Sequence, residues 1–323
     1  MGIKYLNRYL KTNCNKGIAY ISIDKLRGKT IVVDTSIYIY KFLEEDRLVE
    51  NFFIMITQFR EFNITPLFIF DGKADASKME LLWKRVINKR CAMKEFDKLK
   101  SILDDIDIND FNKTKLTKKM EICRKNSIRI KEQDIVELKE LFDALGVFYF
   151  AAPNEADVVC AYFVKKGFAW GCMSDDMDMF VYGCDFILRE WNVTKSTVIL
   201  YDRNQIMKEV WVRPEYFSQL LLLIGSDYHQ EICKTEFIHI DTAFKWYDEF
   251  IKNIIIEPTK TFSLYNWLQE TKKITPENAK KLGTICGMYV IPENINTNFV
   301  EKTSSIIDWT TLKKLMAPYG FII

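Results

Sequence analysis

Short apolar runs recur along this chain, and several of them lead straight into acids. Residues 30–34 (TIVVD) are β-branched and close on Asp34, and residues 66–71 (PLFIFD) close on Asp71 before a turn at Gly72. Residues 147–152 (VFYFAA) run through Pro153-Asn154 into Glu155 and Asp157, and FAWGCM (168–173) runs into SDDMD, which contains Asp176 and Asp178. By length and by β-branched and aromatic content each run reads as a strand. In open α/β sheets ligands bind outside the carboxyl ends of the strands, so the repeated order of strand then acid predicts a parallel sheet with a site at that end.

Between these runs helical spacing takes over. It predicts helix over residues 36–60, a long cation-dense helix over 76–100, and an amphipathic helix over 136–145 that ends at Gly146. Asn154 is expected to cap a helix whose third residue is Asp157, so that Glu155 and Asp157 both lie in its first turn. Residues 186–192 and 197–202 predict a hairpin that turns at 194–196. Pro214 opens a helix reaching Gly225, and Asp227 follows as a seventh acid beside an apolar segment end. Helical stretches over 243–255 and 261–270, a helix start at Thr275-Pro276 and a last helix capped by Asp308 complete the chain. No repeat or low-complexity linker divides it, so one catalytic unit with an arm and a carboxyl-terminal extension is expected.

A single strand-end aspartate is most simply the cap of the next helix. Seven acids at such positions ask for more, because crowded carboxylates repel and stay charged only when a cation or proton neutralises them. Hard divalent ions prefer oxygen ligands, so the set predicts a metal site.

Charge sharpens this picture. The chain carries a formal net charge of only +2, yet residues 78–131 hold 16 Lys and Arg against 8 Asp and Glu. A solvated hairpin is the plain account of such a run. Its insertion between two carboxylate-bearing strands fits phosphate binding beside the acids better. Lys78 and Arg85, seven apart, fall nearly on one helical face, and Arg85 lies one turn from Asn88 and Lys89. Eight cysteines without a CxxC pair and only two histidines argue against zinc and against a disulfide framework, and favour a reducing compartment. No signal-peptide core, myristoylation signal or stretch of membrane-spanning length is present, so a soluble intracellular protein is expected.

VVDTSIYIYKF, PLFIFDGK, APNEAD, SDDMDMF and IGSDY, with the opening MGIKYL, together resemble the flap-endonuclease/XPG family of structure-specific 5′ nucleases over roughly residues 1–230. The resemblance implies a PIN-like 5′-nuclease core: α/β, with a mostly parallel central sheet flanked by helices, a helical arch and a helical carboxyl-terminal extension. It divides the chain into an amino-terminal nuclease region with the start of the arch (1–105), the rest of the arch (106–135), an internal nuclease region (136–256) and the extension (257–323). It assigns Asp34, Asp71, Glu155, Asp157, Asp176, Asp178 and Asp227 to two Mg²⁺ ions, with Mn²⁺ as a substitute, and Lys78 and Arg85 to catalysis. Gly2, exposed after loss of Met1, matches the amino terminus beside the site, and Tyr40 matches an aromatic that stacks on a base. Lys89 and Arg129 join Lys78 and Arg85 as substrate-binding cations.

The implied activity is hydrolysis of branched or flapped DNA in replication, recombination or repair, by a monomer without membrane attachment. The same chemistry on junctions, gaps or RNA is the nearer alternative, and a non-catalytic nucleic-acid binding relative the more distant one. Nuclear and cytoplasmic compartments and a virus-encoded origin are all left open. Two departures stand out. Asp157 replaces the more usual glutamate, and the chain after Asp227 (HQEICKTEFIHIDTAFKW) has no glycine where the family has a GIGPKRA-like turn. The monovalent-cation site and duplex contact of that turn therefore do not carry over. Residues 307–321 (IDWTTLKKLMAPYGF) look like the family's carboxyl-terminal helix, and no sliding-clamp peptide is evident.

Overall fold

The computed structural model describes residues 2–73, 79–105, 110–229, 238–256, 263–295, 300–301 and 306–322. The apolar runs form eight strands: β1 (Ile18–Ser22), β2 (Thr30–Asp34), β3 (Thr65–Phe70), β4 (Phe148–Ala151), β5 (Gly171–Met173), β6 (Phe186–Asn192), β7 (Thr197–Asp202) and β8 (Val300–Glu301). They make one sheet in the order β1-β7-β6-β5-β2-β3-β4-β8. The five central strands from β6 to β4 run parallel, and β1, β7 and β8 are antiparallel additions at the two edges. The expected mostly parallel α/β core is thus present. The hairpin of β6 and β7 spans the expected residues, with Ser196 at φ 48° in its turn.

Fourteen helices are seen among the described residues. The first seven are α1 (Leu6–Asn13), α2 (Thr35–Glu44), α3 (Leu48–Glu61), α4 (Met79–Asp105), α5 (Asp110–Ser127), α6 (Glu132–Leu145) and α7 (Ala156–Lys165). They are followed by α8 (Asp178–Tyr182), α9 (Arg203–Glu209), α10 (Pro214–Ile224), α11 (Ile240–Ile256), α12 (Leu264–Glu270), α13 (Pro276–Met288) and α14 (Trp309–Met316). Because side chains alternate along a strand, Ile31 and Val33 of β2 enter one core and Val32 the other. Helices α2, α3, α6 and α14 cover the first face, where Phe142 sits among Phe52, Phe68 and Phe70. Truncating such a buried ring typically costs about 3–5 kcal/mol. Helices α1 and α7 to α13 cover the other face.

Three local expectations are corrected. The helix over 36–60 is two helices, because the exposed polar run Glu45 to Arg47 breaks it with Asp46 at φ 54°, and the reversal brings Phe42 and Phe52 edge to face at 5.0 Å. Helix α6 begins four residues early, at Glu132, where Asp134 accepts the Lys131 backbone N–H at 2.7 Å. Asn154 is not the cap of α7. The residue in that position is Glu155, so Asp157 is the second helical residue, and the Ala156 N–H is taken by Asp71 at 2.8 Å.

The basic segment forms the hairpin of α4 and α5, tied by Lys119 to Glu95 at 2.8 Å. Arg124 anchors its return at the end of α2, donating to the Glu44 carbonyl at 2.6 Å and to Asp46 at 3.0 Å. The described cysteines are all thiols, and no described helix is long and apolar enough to cross a membrane.

Candidate active site

Parallel strands end together, and that brings the acids together. Asp34 is the last residue of β2, Asp71 follows β3, Glu155 and Asp157 follow β4, and Asp176 and Asp178 follow β5. Asp227 arrives from the side, three residues past the end of α10. All seven acids line one cleft of about 210 Å³, together with Tyr40, Gly72 and Arg85.

Asp34, Asp71, Glu155, Asp176, Asp178 and Asp227 each accept from a specific donor. Asp34, 4 % exposed, accepts the Ser174 hydroxyl at 3.0 Å. Asp71 accepts from Ala156 across the sheet end, as noted, and a close backbone approach makes this contact reachable. Gly72 donates to the Asn154 carbonyl at 2.7 Å, and a Cβ on Gly72 would collide with the Ala152 carbonyl. Asp176 accepts the Asp178 backbone N–H at 2.9 Å, Glu155 accepts the Tyr228 hydroxyl at 3.2 Å, and Asp178 accepts the Tyr289 hydroxyl at 2.5 Å. The loop that carries Asp176 is fixed from below by its neighbour Asp175. The Asp175 carbonyl accepts from the buried Arg189 guanidinium at 2.7 Å, and its carboxylate accepts the Glu190 N–H at 2.7 Å.

Cations and the amino terminus close the rim. Arg85 on α4 pairs with Asp227 at 2.6 Å, a contact with both side chains partly in water. Lys89 does not line the cleft itself. Its ammonium lies 4.2 Å over the Tyr40 ring and donates to the Tyr40 hydroxyl at 3.0 Å. Gly2, at φ 78°, packs directly on the acids, where a Cβ would fall on Asp176 and within 2.5 Å of Asp178 Oδ1. Arg129 is exposed between α5 and α6 and is not part of the cleft wall. Lys78 and residues 230–237, which fall within the glycine-free stretch after Asp227, lie outside the described residues.

The donor set is all oxygen, which suits a hard divalent cation and not zinc. Burial, followed by the charge of Asp71, pushes the Asp34 carboxyl up to about 8, against the downward pull of the Ser174 hydroxyl. A cation placed among these acids reverses that balance, because it favours the charged form. Among the described residues no three acid, thiol or imidazole side chains are closed on a single point as a complete ion cage. The acids ring the cleft instead.

A pH dependence follows. In the metal-free protein the Asp34 carboxyl titrates near 8 when folded and near 3.8 when unfolded, so the folded chain holds the extra proton between those values. Its stabilising contribution is full below about 4 and is lost as pH rises to about 8. With EDTA, Tm is expected to fall from pH 5 to pH 8, and Mg²⁺ is expected to raise it most at pH 8. In Asp34→Asn that part of the slope should vanish, and an identical slope in the variant would assign it elsewhere.

Ser174, Tyr228 and Tyr289 are the site residues that sequence reasoning did not single out. The first two stand beside the SDDMD and IGSDY acids, a signal that was available. Tyr289 is 111 positions from its partner and carried none.

Two family models match the chain: the XPG N-terminal domain over residues 1–92 and the XPG I-region over residues 146–227. Flap endonuclease 1 of Encephalitozoon cuniculi is 28 % identical over 245 residues, spanning 71 % of this chain and 68 % of that protein. Flap endonuclease 1 of Cryptosporidium parvum is 27 % identical over 262 residues, spanning 71 % of this chain but half of the relative. The catalytic core of Rad2, solved in complex with DNA substrate, superposes with a TM-score of 0.65 at 20 % identity, covering 98 % of this chain and 95 % of that one, a likeness of fold.

Proposed function

Because the chain belongs to the flap endonuclease/XPG family of structure-specific 5′ nucleases, we propose that it hydrolyses phosphodiester bonds of 5′-flapped or branched DNA at the carboxylate cleft. The observation that carries this reading is that seven acids from five segments line one cleft beside Arg85 and Tyr40. Two Mg²⁺ ions, replaceable by Mn²⁺, fit the oxygen donors of Asp34, Asp71, Glu155, Asp157, Asp176, Asp178 and Asp227. When bound, such ions supply an activated water and offset the charge of an in-line displacement.

The rest of the chemistry belongs to the chain. Arg85, held at rest by Asp227, turns its fork of donors to the attacked phosphate, and Lys78 is assigned the same role. An incoming base takes the place of Lys89 over the Tyr40 ring, which releases that ammonium for a neighbouring phosphate. Gly2 backs Asp176 and Asp178, and the exposed Arg129 is assigned to bind the DNA backbone outside the cleft. We read the protein as a monomer acting in replication, recombination or repair. Its thiols suit a reducing compartment, nuclear or cytoplasmic.

The test is a 5′-labelled flap incubated with Mg²⁺ or with EDTA, alongside duplex, gapped, four-way-junction and single-stranded RNA substrates. Cleavage near the branch, dependent on metal and strongest on flapped DNA, is expected. No product from any of these substrates with Mg²⁺ or Mn²⁺ would remove the assignment.

A further inference from the structure

Beneath the acids three tyrosines form a small buried cluster. Tyr289 is 6 % exposed, and its ring lies 4.8 Å from that of Tyr182 and 5.5 Å, edge to face, from that of Tyr228. Two of these rings point a hydroxyl at a cleft carboxylate: Tyr289 to Asp178 at 2.5 Å and Tyr228 to Glu155 at 3.2 Å. The Tyr289 contact is short, as expected of a hydroxyl donating to a carboxylate. Packing alone needs only the ring, and a phenylalanine would provide it. A buried hydroxyl aimed at a buried carboxylate does something more, since it selects one rotamer of that carboxylate and favours its ionised form.

The position of Tyr289 in the chain adds to the case. It caps the carboxyl end of α13, which packs on α10, and α10 leads directly to Asp227. It also lies well beyond residue 227, where the second family-model match ends. We infer that Tyr289 is a positioning residue for the metal site, holding Asp178 ready for the cation through its hydroxyl and thereby making the carboxyl-terminal helices part of the active centre. Hydroxyl and carbonyl groups that orient metal ligands typically govern metal affinity by about 10–100-fold.

The inference rests on the reading of the cleft as a divalent-cation site, and its test separates the two. Wild type, Tyr289→Phe and Tyr228→Phe are compared by calorimetric Mn²⁺ titration in the absence of DNA and by the Mg²⁺ dependence of flap cleavage, with folding checked by circular dichroism. Tyr289→Phe is expected to weaken Mn²⁺ binding by about tenfold or more and to show a rate deficit at low Mg²⁺ that closes as Mg²⁺ is raised. Tyr228→Phe, which removes the longer contact, should shift both less. Unchanged Mn²⁺ affinity in a folded Tyr289→Phe protein would reduce Tyr289 to core packing and leave the nuclease reading intact. Wild type that binds Mn²⁺ but cleaves nothing would sink the nuclease reading alone, with the Tyr289 comparison still decided by the titration. If Tyr289→Phe does not fold, Asp178→Asn in the wild-type background decides instead. It removes the carboxylate charge that the hydroxyl supports, and an Mn²⁺ affinity equal to wild type would overturn the inference.

Discussion

Asp176→Ala is expected to lower flap cleavage by at least about 10³-fold at saturating Mg²⁺, while the protein folds and melts much as wild type does. The size follows from the role: a metal ion stabilises charge in the transition state by several kcal/mol, and each 1.36 kcal/mol is a factor of ten in rate. Asp176 is 8 % exposed, lies in the cleft, and its Oδ1 accepts the Asp178 N–H at 2.9 Å, so its loss disturbs the neighbouring acid too. The fold tolerates the change because Asp175 carries the loop's structural bonds to Arg189 and Glu190. Relief of like-charge repulsion partly offsets the lost hydrogen bond in the metal-free state. Single-turnover cleavage of a labelled flap, paired with thermal unfolding, measures both quantities. A rate within tenfold of wild type would exclude Asp176 from the metal site.

Gly2→Ala is the second large effect. One added methyl is expected to cost about 10²-fold in cleavage rate and to raise the half-saturating Mg²⁺, because the added Cβ falls on the side chains of Asp176 and Asp178. At φ 78° the backbone of Gly2 also resists any L side chain, so the clash is not relieved by a simple twist. The first segment must move away from the acids or the acids must move from the cleft. Helix α1 itself is secured elsewhere, through buried Leu6 and Leu10, so global stability should hold. Activity within twofold of wild type would mean that the amino terminus has no bearing on the carboxylates.

The acids were legible because parallel strands put sequence-distant residues at one end whenever each strand ends in the same kind of residue. Asp34, Asp71, Asp176 and Asp178 needed only strand boundaries, and those were well marked by TIVVD, PLFIFD and GCMSDD. The cap of α7 escapes local rules because the acceptor for its first N–H comes from the end of another strand. Asp71 reaches Ala156 across 85 positions, while a local rule favours the adjacent Asn154. The break at Asp46 escaped periodicity because the helices on either side share one apolar face, and a three-residue interruption hardly disturbs the count. Strand order could not be read at all. The placing of β1 beside β7, and of β8 beside β4, depends on pairings that leave no trace in either partner alone. Tyr289 was hidden for the same reason.

The hydrogen bonds around the cleft also decide how a cation is held. Asp34, Asp71, Glu155, Asp176, Asp178 and Asp227 each have one carboxylate oxygen already engaged by a protein donor. An engaged oxygen is a poor half of a chelating pair, so each acid is prepared to give a single oxygen. Calcium commonly takes carboxylates through both oxygens, whereas magnesium prefers an octahedron completed largely by water. On the reading of the cleft as a divalent-cation site, this donor pattern favours an ion that takes one oxygen per carboxylate over one that takes two.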